Sequence, residues 1–295
     1  MKRFCLSICV TLLGSVAAPA AEPSTYFAYA GSPISAKYEA GRLVHLPVAN
    51  YDGDVDTYRR SEVVSGLLSA SRLSAFTPDG SIAPARVESV QRMAYGVPMF
   101  AMSTVEHEPR YVDQMTFVWS GATQFHREAL QSSGIDARLR EELIIRSRRD
   151  LEPHLDLSRI EGVGRRLTLS GPVGIRDYGR PRVRPWLVFV DITWHIEGLP
   201  DSWKNRGIDS WSEEFRVEYV YDTARRMLVY RNIQNVGGVA DHTFFLLKET
   251  SGPLLLATSV ACSDGADTLL MDLDHETYLP EWGKEAPWDL SCFSG

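Results

Sequence analysis

The sequence predicts an α+β fold in which a large antiparallel β-meander, at about residues 165–261, carries helices that precede it in the chain. Apolar residues recur at helical spacing in residues 57–76 and 122–150, and they alternate with a period of two from about residue 165. Short connections join the later strands, which indicates antiparallel neighbours. A helix that precedes such a meander buries its apolar stripe by packing on one face of the sheet.

Two helices are predicted directly before the meander. One covers Thr123–Leu130. The other begins after Asp136, because an aspartate carboxylate caps the free backbone N–H groups of a first turn, and Leu139 and Leu143 then recur on one face. The strands that follow are predicted at Arg166–Leu169, Trp186–Glu197, Glu214–Tyr221, Met227–Ile233, His242–Lys248 and Leu254–Ala261.

Length and composition indicate one net-acidic domain. Apolar residues make up 44% of the chain and aromatic residues 10%, which is typical of a protein with a packed core. We expect a single domain over residues 21–295, with a mixed N-terminal part at about 24–160 and a β-rich C-terminal part at about 161–295. The formal net charge of −7 repels nucleic acid in the absence of a local basic patch, so no nucleic-acid partner is expected.

The first 20 residues have the three regions of a cleavable secretory signal peptide. Lys2 and Arg3 are the positive region, Phe4–Val16 is the apolar region, and Ala18 and Ala20 are the small residues that cleavage after Ala20 requires. The alternative is an uncleaved membrane anchor, but a spanning helix needs about 20 apolar residues and this run is shorter. We therefore expect a periplasmic or secreted protein with no transmembrane segment in the mature chain.

The cysteines predict one disulfide bond. Cys5 and Cys9 lie within the predicted signal peptide, which leaves Cys262 and Cys292. In an oxidising compartment an even number of cysteines indicates a bridge. The alternative is a cysteine nucleophile with a histidine partner, which requires a free thiolate. The predicted compartment favours the disulfide.

The predicted strand Trp186–Glu197 carries the candidate catalytic residues. Asp191, His195 and Glu197 share one face of this strand with Thr193, and the other face is apolar throughout. A carboxylate near an imidazole has the residue types of acid–base catalysis. The simpler interpretation, which we favour, is a half-solvated face of an antiparallel sheet, with charges paired across strands to Arg216 or Arg231.

The connection after this strand carries the candidate ligand-binding residues. Two tryptophans lie there among carboxylates, as Asp201, Trp203, Asp209 and Trp211. A carbohydrate-binding surface combines aromatic ring faces with hydrogen-bond acceptors, and long connections are often functional. The alternative is that both indole rings fold back and cover the end of the sheet core.

No motif of a known catalytic or cofactor site occurs in the sequence. The acidic residues at 264–276 lack the spacing of a calcium-binding loop, so neither a metal nor a cofactor is expected. We expect a periplasmic or secreted binding or envelope-associated protein, with a small molecule, a carbohydrate or an envelope protein as its partner. The alternative is an extracytoplasmic hydrolase with an acid–base site formed by His195, Asp191 and Glu197.

Overall fold

The computed structural model of the protein is predominantly antiparallel β-sheet. It describes residues 24–29, 32–47, 55–76, 82–92, 98–104, 117–121, 123–132, 134–156, 166–199, 213–235, 241–262 and 265–279. These residues form sixteen β-strands, three α-helices and one short 3₁₀ helix. The predicted α+β fold, with helices first and a sheet after them, is therefore wrong, because the N-terminal part of the chain also folds mainly into strands.

The described strands form three antiparallel sheets. The seven-stranded sheet has the order β3 (Arg42–His45), β2 (Ser32–Glu39), β1 (Thr25–Tyr29), β7 (Phe117–Ser120), β4 (Leu73–Phe76), β5 (Ile82–Arg92) and β6 (Pro98–Thr104). The five-stranded sheet has the order β13 (Met227–Asn235), β12 (Glu214–Asp222), β11 (Leu187–Glu197), β10 (Thr168–Pro181) and β9 (Leu130–Gln131). The four-stranded sheet has the order β16 (Gly265–Asp272), β15 (Leu254–Cys262), β14 (Asp241–Glu249) and β8 (Phe125–Arg127).

The four-stranded sheet is the central layer of the molecule. On one face, Leu247 and Leu255 pack against the seven-stranded sheet. On the other, Leu246 and Leu256 pack against the five-stranded sheet. Both faces are covered, which explains why β14 and β15 each contain consecutive apolar residues rather than an alternating pattern.

Helices form the two outer layers. Helices α1 (Val55–Arg60) and α2 (Glu62–Ser69) cover the outer face of the seven-stranded sheet, where Val64 and Leu67 join its buried cluster. Helix α3 (Ala137–Leu151) covers the outer face of the five-stranded sheet. The layers therefore run helix, five strands, four strands, seven strands, helices. Within the described ranges, no helix has the length and apolar character to cross a membrane.

The predicted helix after Asp136 is confirmed as α3. The Leu139 backbone N–H donates to the Asp136 carboxylate at 2.7 Å, which is the expected N-cap bond. The buried stripe includes Leu139 and Leu143. Polar side chains also tie the helix to the sheet, since Tyr219 donates to the Asp150 carboxylate at 2.7 Å.

The helix predicted at Thr123–Leu130 is wrong, because this segment contributes two short strands. Strand β8 pairs with β14, and β9 pairs with the end of β10, so the segment bridges two sheets. Phe125 lies between the four- and seven-stranded sheets and is 2% exposed. Eight residues contain little more than two helical turns, and long-range strand pairing overrides such a weak local preference.

The predicted meander is divided between two stacked sheets. Strands β10–β13 are consecutive neighbours in the five-stranded sheet, whereas β14 and β15 continue in the four-stranded sheet. The strand positions from Trp186 to Ala261 agree with the sequence prediction to within one or two residues. The pattern therefore predicted the individual strands but not the change of sheet after β13.

His154, in the 3₁₀ helix Glu152–Leu155, makes the stability of the α3 layer sensitive to pH. Burial, together with the positive charge of Arg231, lowers the pKa of His154 to about 4 from an ordinary value of 6.5, although Asp150 acts in the opposite direction. The unfolded chain therefore takes up a proton before the folded one. Stability contributed by neutral His154 is present above about pH 6.5 and is lost as the pH falls towards 4.

We expect wild type to lose about 2–3 kcal/mol more than His154→Gln between about pH 7 and pH 4. Urea denaturation of both proteins across this range measures the difference. The glutamine variant keeps every carboxylate, so it controls for general acid destabilisation. If the free energies of unfolding of the two proteins fall in parallel with pH, His154 is not the group that causes this pH dependence.

Candidate functional site between two sheets

The inner face of the five-stranded sheet changes from apolar to polar midway along β11. Leu187 and Phe189 pack against the four-stranded sheet, and the next residue on the same face is Asp191. The neighbouring strands of the sheet also change from apolar to polar residues at this level. We call this region between the two sheets the polar cleft. Its residues are Tyr178, Asp191, Thr193, Arg216, Glu218, Tyr230, Asn232, Gln234 and Thr258.

Strand register arranges part of the polar cleft in two rows. Asp191 lies opposite Glu218, which lies opposite Asn232. Two residues further along the strands, Arg216 lies between Thr193 and Gln234, its partners on β11 and β13. Each residue advances a strand by about 3.3 Å, so the two rows are about 7 Å apart.

The first row contains two buried carboxylates. Asp191 is 5% exposed and Glu218 is 7% exposed. The Tyr178 hydroxyl donates to Asp191 Oδ2 at 2.6 Å, and Asn232 Nδ2 donates to Glu218 Oε2 at 3.3 Å. Directly opposed residues on antiparallel strands have Cβ atoms about 5 Å apart. The carboxylates are therefore neighbours, and hydrogen-bond donors offset part of the cost of burying them.

A β-bulge directs Tyr178 towards Asp191. Asp177 pairs with Val190 and Gly179 pairs with Phe189, so Tyr178 is the extra residue on β10. The Arg176 guanidinium lies 5.5 Å from the Tyr178 ring centroid. The bulge thus adds to the first row a phenol that the regular strand register would not place there.

The two phenols of the polar cleft stay protonated at neutral pH. Burial raises the pKa of Tyr178 to about 12, with a further contribution from its hydrogen bond to Asp191. Burial raises the pKa of Tyr230 well above its ordinary value, and the negative charge of Glu218 adds to this effect. Both groups therefore keep their hydroxyl proton, and Tyr178 uses it in the hydrogen bond to Asp191.

The second row contains buried donors that lack acceptors. Within the part of the chain that the structure describes, Arg216 Nε and Gln234 Nε2 are buried and have no hydrogen-bond partner. Gln234 is 3% exposed, so bulk water does not solvate its amide. Leaving such a group unpaired costs about 1–3 kcal/mol. Two adjacent unpaired donors are the arrangement expected where a ligand supplies the acceptor.

The apolar end of the polar cleft encloses a cavity of about 20 Å³. Its lining includes Tyr178, Phe189, Glu218, Tyr230, Phe244 and Thr258. The Phe189 and Phe244 rings stack with centroids 6.0 Å apart and form an aromatic wall of this cavity. This space has room for about one water molecule.

The structure separates Asp191 from His195 and Glu197, the other two residues that were predicted to form an acid–base site. Asp191, His195 and Glu197 do lie on one face of β11, but Asp191 and His195 are about 13 Å apart along the strand. Asp191 is buried beside Glu218, His195 is half-buried opposite Glu214, and Glu197 is exposed. Asp191 therefore contributes to a different cluster from the one predicted.

The other predicted site residues lie outside the described residues. These are Asp201, Trp203, Asp209 and Trp211 in the connection after β11, and Cys292 in the predicted disulfide. Cys262 ends strand β15, and its predicted bond to Cys292 stays a prediction.

Sequence patterns alone did not indicate Tyr178, Glu218 or Gln234, and they indicated Arg216 only as a charge partner across the strands. Arg216 and Glu218 alternate with buried apolar residues along β12, which has strand neighbours on both sides. Charged side chains in a central strand indicate that at least one face of the sheet is not simply packed core. Their significance becomes apparent only with the register, which places them beside Asp191 and Gln234.

The fold and the polar cleft define a layered antiparallel β protein with a buried polar surface between two of its sheets. Comparison of the chain with protein-family models, curated proteins and solved structures finds no match. Among the described residues, no group of three or more histidine, cysteine, aspartate or glutamate side chains is arranged to hold a metal ion.

Proposed function

We propose that this protein is an exported binding protein that holds a small, neutral, hydroxylated ligand, such as a carbohydrate or polyol, in the polar cleft. The observation that carries this proposal is the pair of buried unpaired donors, Arg216 Nε and Gln234 Nε2, about 7 Å from the buried carboxylates Asp191 and Glu218. The signal-like segment at residues 1–20 supports export.

The ligand class follows from the distribution of donors and acceptors. A hydroxyl group both donates and accepts, so one polyol can donate to Asp191 or Glu218 and accept from Arg216 or Gln234. An anionic ligand is disfavoured because two carboxylates already lie in the first row. The Phe244 ring and the Tyr178 ring, 5.5 Å apart, add an apolar wall at the inner end.

Replacement of Gln234 by leucine separates a binding role from a structural one. We expect Gln234→Leu to keep or raise the free energy of unfolding, by up to about 1 kcal/mol, because it removes a buried unpaired donor. We expect the same change to weaken ligand binding at least tenfold, because one hydrogen bond to the ligand is lost. Thermal-shift screening of monosaccharides, disaccharides and polyols, followed by titration calorimetry, measures both effects.

Gln131→Leu is the matched control. Gln131 is an exposed glutamine in strand β9, outside the polar cleft. Its replacement leaves binding unchanged if the proposal is correct. Equal binding by wild type and Gln234→Leu contradicts the proposed site, and the absence of any hit among neutral hydroxylated ligands contradicts the ligand class.

A hydrolase is the second candidate, and the opposed carboxylates favour it. Retaining glycosidases use two carboxyl groups about 5 Å apart, and the register of Asp191 and Glu218 permits this spacing. His195 and Glu197 lie further along the same face of β11. Turnover of a glycoside that is lost in both Asp191→Asn and Glu218→Gln supports this alternative, whereas binding without turnover contradicts it.

A further inference from the structure

The second row of the polar cleft continues onto β10, where it ends at a glycine. Gly174 is the β10 partner of Thr193, and Arg216 and Gln234 follow on the next two strands. The neighbouring residue Ile175 packs against the cluster beneath α3, on the opposite face of the sheet. Successive residues of a strand alternate between faces, so Gly174 belongs to the face of the polar cleft. The row therefore crosses four strands, and its β10 position has no side chain.

Neither the backbone nor the packing of the protein explains a glycine at this position. The φ of Gly174 lies outside the left-handed region that favours glycine. A Cβ atom added to Gly174 has no other atom within 4 Å, whereas one added to Gly179 on the same strand meets the Gln131 backbone. A glycine inside a strand weakens the strand, because it brings no side chain to pack. Close approach of a ligand to the backbone is a further reason for such a glycine.

The row runs from a buried end to an open end. Gln234 is 3% exposed, whereas Gly174 is exposed. Among the described residues, Arg216 Nε and Gln234 Nε2 are buried without a hydrogen-bond partner, so the buried end has donors for a ligand. Neighbouring strands are about 4.8 Å apart, which gives the row a length of about 14 Å over three strand spacings. The open end is backbone alone, which leaves space above Gly174.

We propose that the second row binds a neutral oligosaccharide along its length, with the outer sugar unit over Gly174. This inference rests on the proposed function and narrows its ligand class to saccharides of two or three units. A single sugar ring is shorter than the row, so a monosaccharide bound to Arg216 and Gln234 leaves the space over Gly174 unfilled. The Thr193 hydroxyl lies between the two ends and can donate to or accept from sugar hydroxyls. Gly174 is therefore a residue that determines which ligand length binds.

Replacement of Gly174 by isoleucine tests this inference. We expect Gly174→Ile to keep or raise the melting temperature, because a β-branched residue favours a strand and the added Cβ meets no protein atom. We expect it to weaken binding of a trisaccharide about tenfold or more, because the new side chain occupies the space of the outer sugar. Its affinity for the trisaccharide then falls to that of wild type for the monosaccharide.

Titration calorimetry of wild type and Gly174→Ile measures these affinities. The probes are linear saccharides of one, two and three units of glucose, mannose, galactose, xylose or N-acetylglucosamine. Wild type is expected to bind the trisaccharide of its preferred sugar about tenfold or more tightly than the monosaccharide, because only the longer ligand spans the row. A purely structural effect of the substitution would not depend on the length of the saccharide.

Thr168→Ile is the matched control. Thr168 is exposed on the same strand, and it pairs with Glu197, four residues along β11 from Thr193. The control therefore adds an isoleucine to β10 about 13 Å from the second row. It is expected to bind every saccharide as wild type does. Thermal melting of both variants establishes that they fold.

The outcomes separate this inference from the proposed function. If Gln234→Leu weakens saccharide binding but folded Gly174→Ile does not, the ligand does not reach Gly174, and only this inference fails. Equal affinity of wild type for one, two and three sugar units also overturns this inference alone. If none of these saccharides binds to wild type, the inference fails together with the carbohydrate ligand on which it rests.

Discussion

Gly179→Ala is expected to destabilise the protein by at least about 3 kcal/mol. Gly179 has a φ of +107°, and a Cβ atom there lies 2.3 Å from the carbonyl oxygen of Gln131. That oxygen belongs to the β9 backbone, which pairs with the end of β10. Relief of the clash therefore requires movement of a paired strand, in addition to the strain of the dihedral angle itself.

Gly171→Ala separates these two effects. Gly171 has a nearly identical φ of +110°, but a Cβ atom there has no other atom within 4 Å. Its replacement is expected to cost only the dihedral strain, about 1–2 kcal/mol. Urea denaturation of both variants measures the difference. Similar losses in the two proteins contradict the importance of the contact with Gln131.

Gly179 also links the fold to the polar cleft. It completes the β-bulge that places Tyr178 beside Asp191. A Gly179→Ala protein that still folds is therefore expected to bind the proposed ligand of the polar cleft more weakly than Gly171→Ala does. This comparison requires only that both variants are folded at the temperature of measurement.

Trp194→Ala is expected to cost about 3–5 kcal/mol, because it empties the largest side-chain site between α3 and the five-stranded sheet. Trp194 is 2% exposed, and its indole N–H donates to Ser147 Oγ at 2.9 Å. The change removes both a large apolar contact and a buried hydrogen bond. Denaturation monitored by far-UV circular dichroism measures the loss.

A double-mutant cycle apportions the effect. Ser147→Ala leaves the indole N–H unpaired and is expected to cost about 1–3 kcal/mol. Combined with Trp194→Phe, the same serine change is expected to cost much less, since no donor remains to be satisfied. Trp186→Ala is the tryptophan control, and at 40% exposure it should cost less than about 1 kcal/mol. Additive losses in the cycle contradict a coupled Trp194–Ser147 contact.

Local signals in the sequence predicted individual elements of the fold well. Asp136 predicted the start of α3, and the alternation from Trp186 onward predicted β11 to β15 closely. These signals depend on residues a few positions apart, such as a capping side chain and a period of two. The helix predicted at Thr123–Leu130 was wrong because eight residues have too weak a helical preference to compete with long-range strand pairing.

The polar cleft was only partly predictable for a related reason. Asp191 stood out because a charge interrupts an apolar face of β11. Its actual neighbours come from other strands, as Tyr178 on β10 and Glu218 on β12. The sequence does not specify a bulge or a cross-strand register at this level, so periodicity offered partners only from the same strand, such as His195 and Glu197.

The sequence by itself determined the positions of strands β11 to β15, the N-cap of α3, and the polar interruption at Asp191, because each depends on nearby residues. Only the tertiary structure decided that the predicted meander divides into two stacked sheets, and that Arg216, Glu218 and Gln234 lie in the polar cleft with Asp191. Register and stacking arise from contacts between residues tens of positions apart, and a shift of one residue in pairing would turn these side chains to the opposite face.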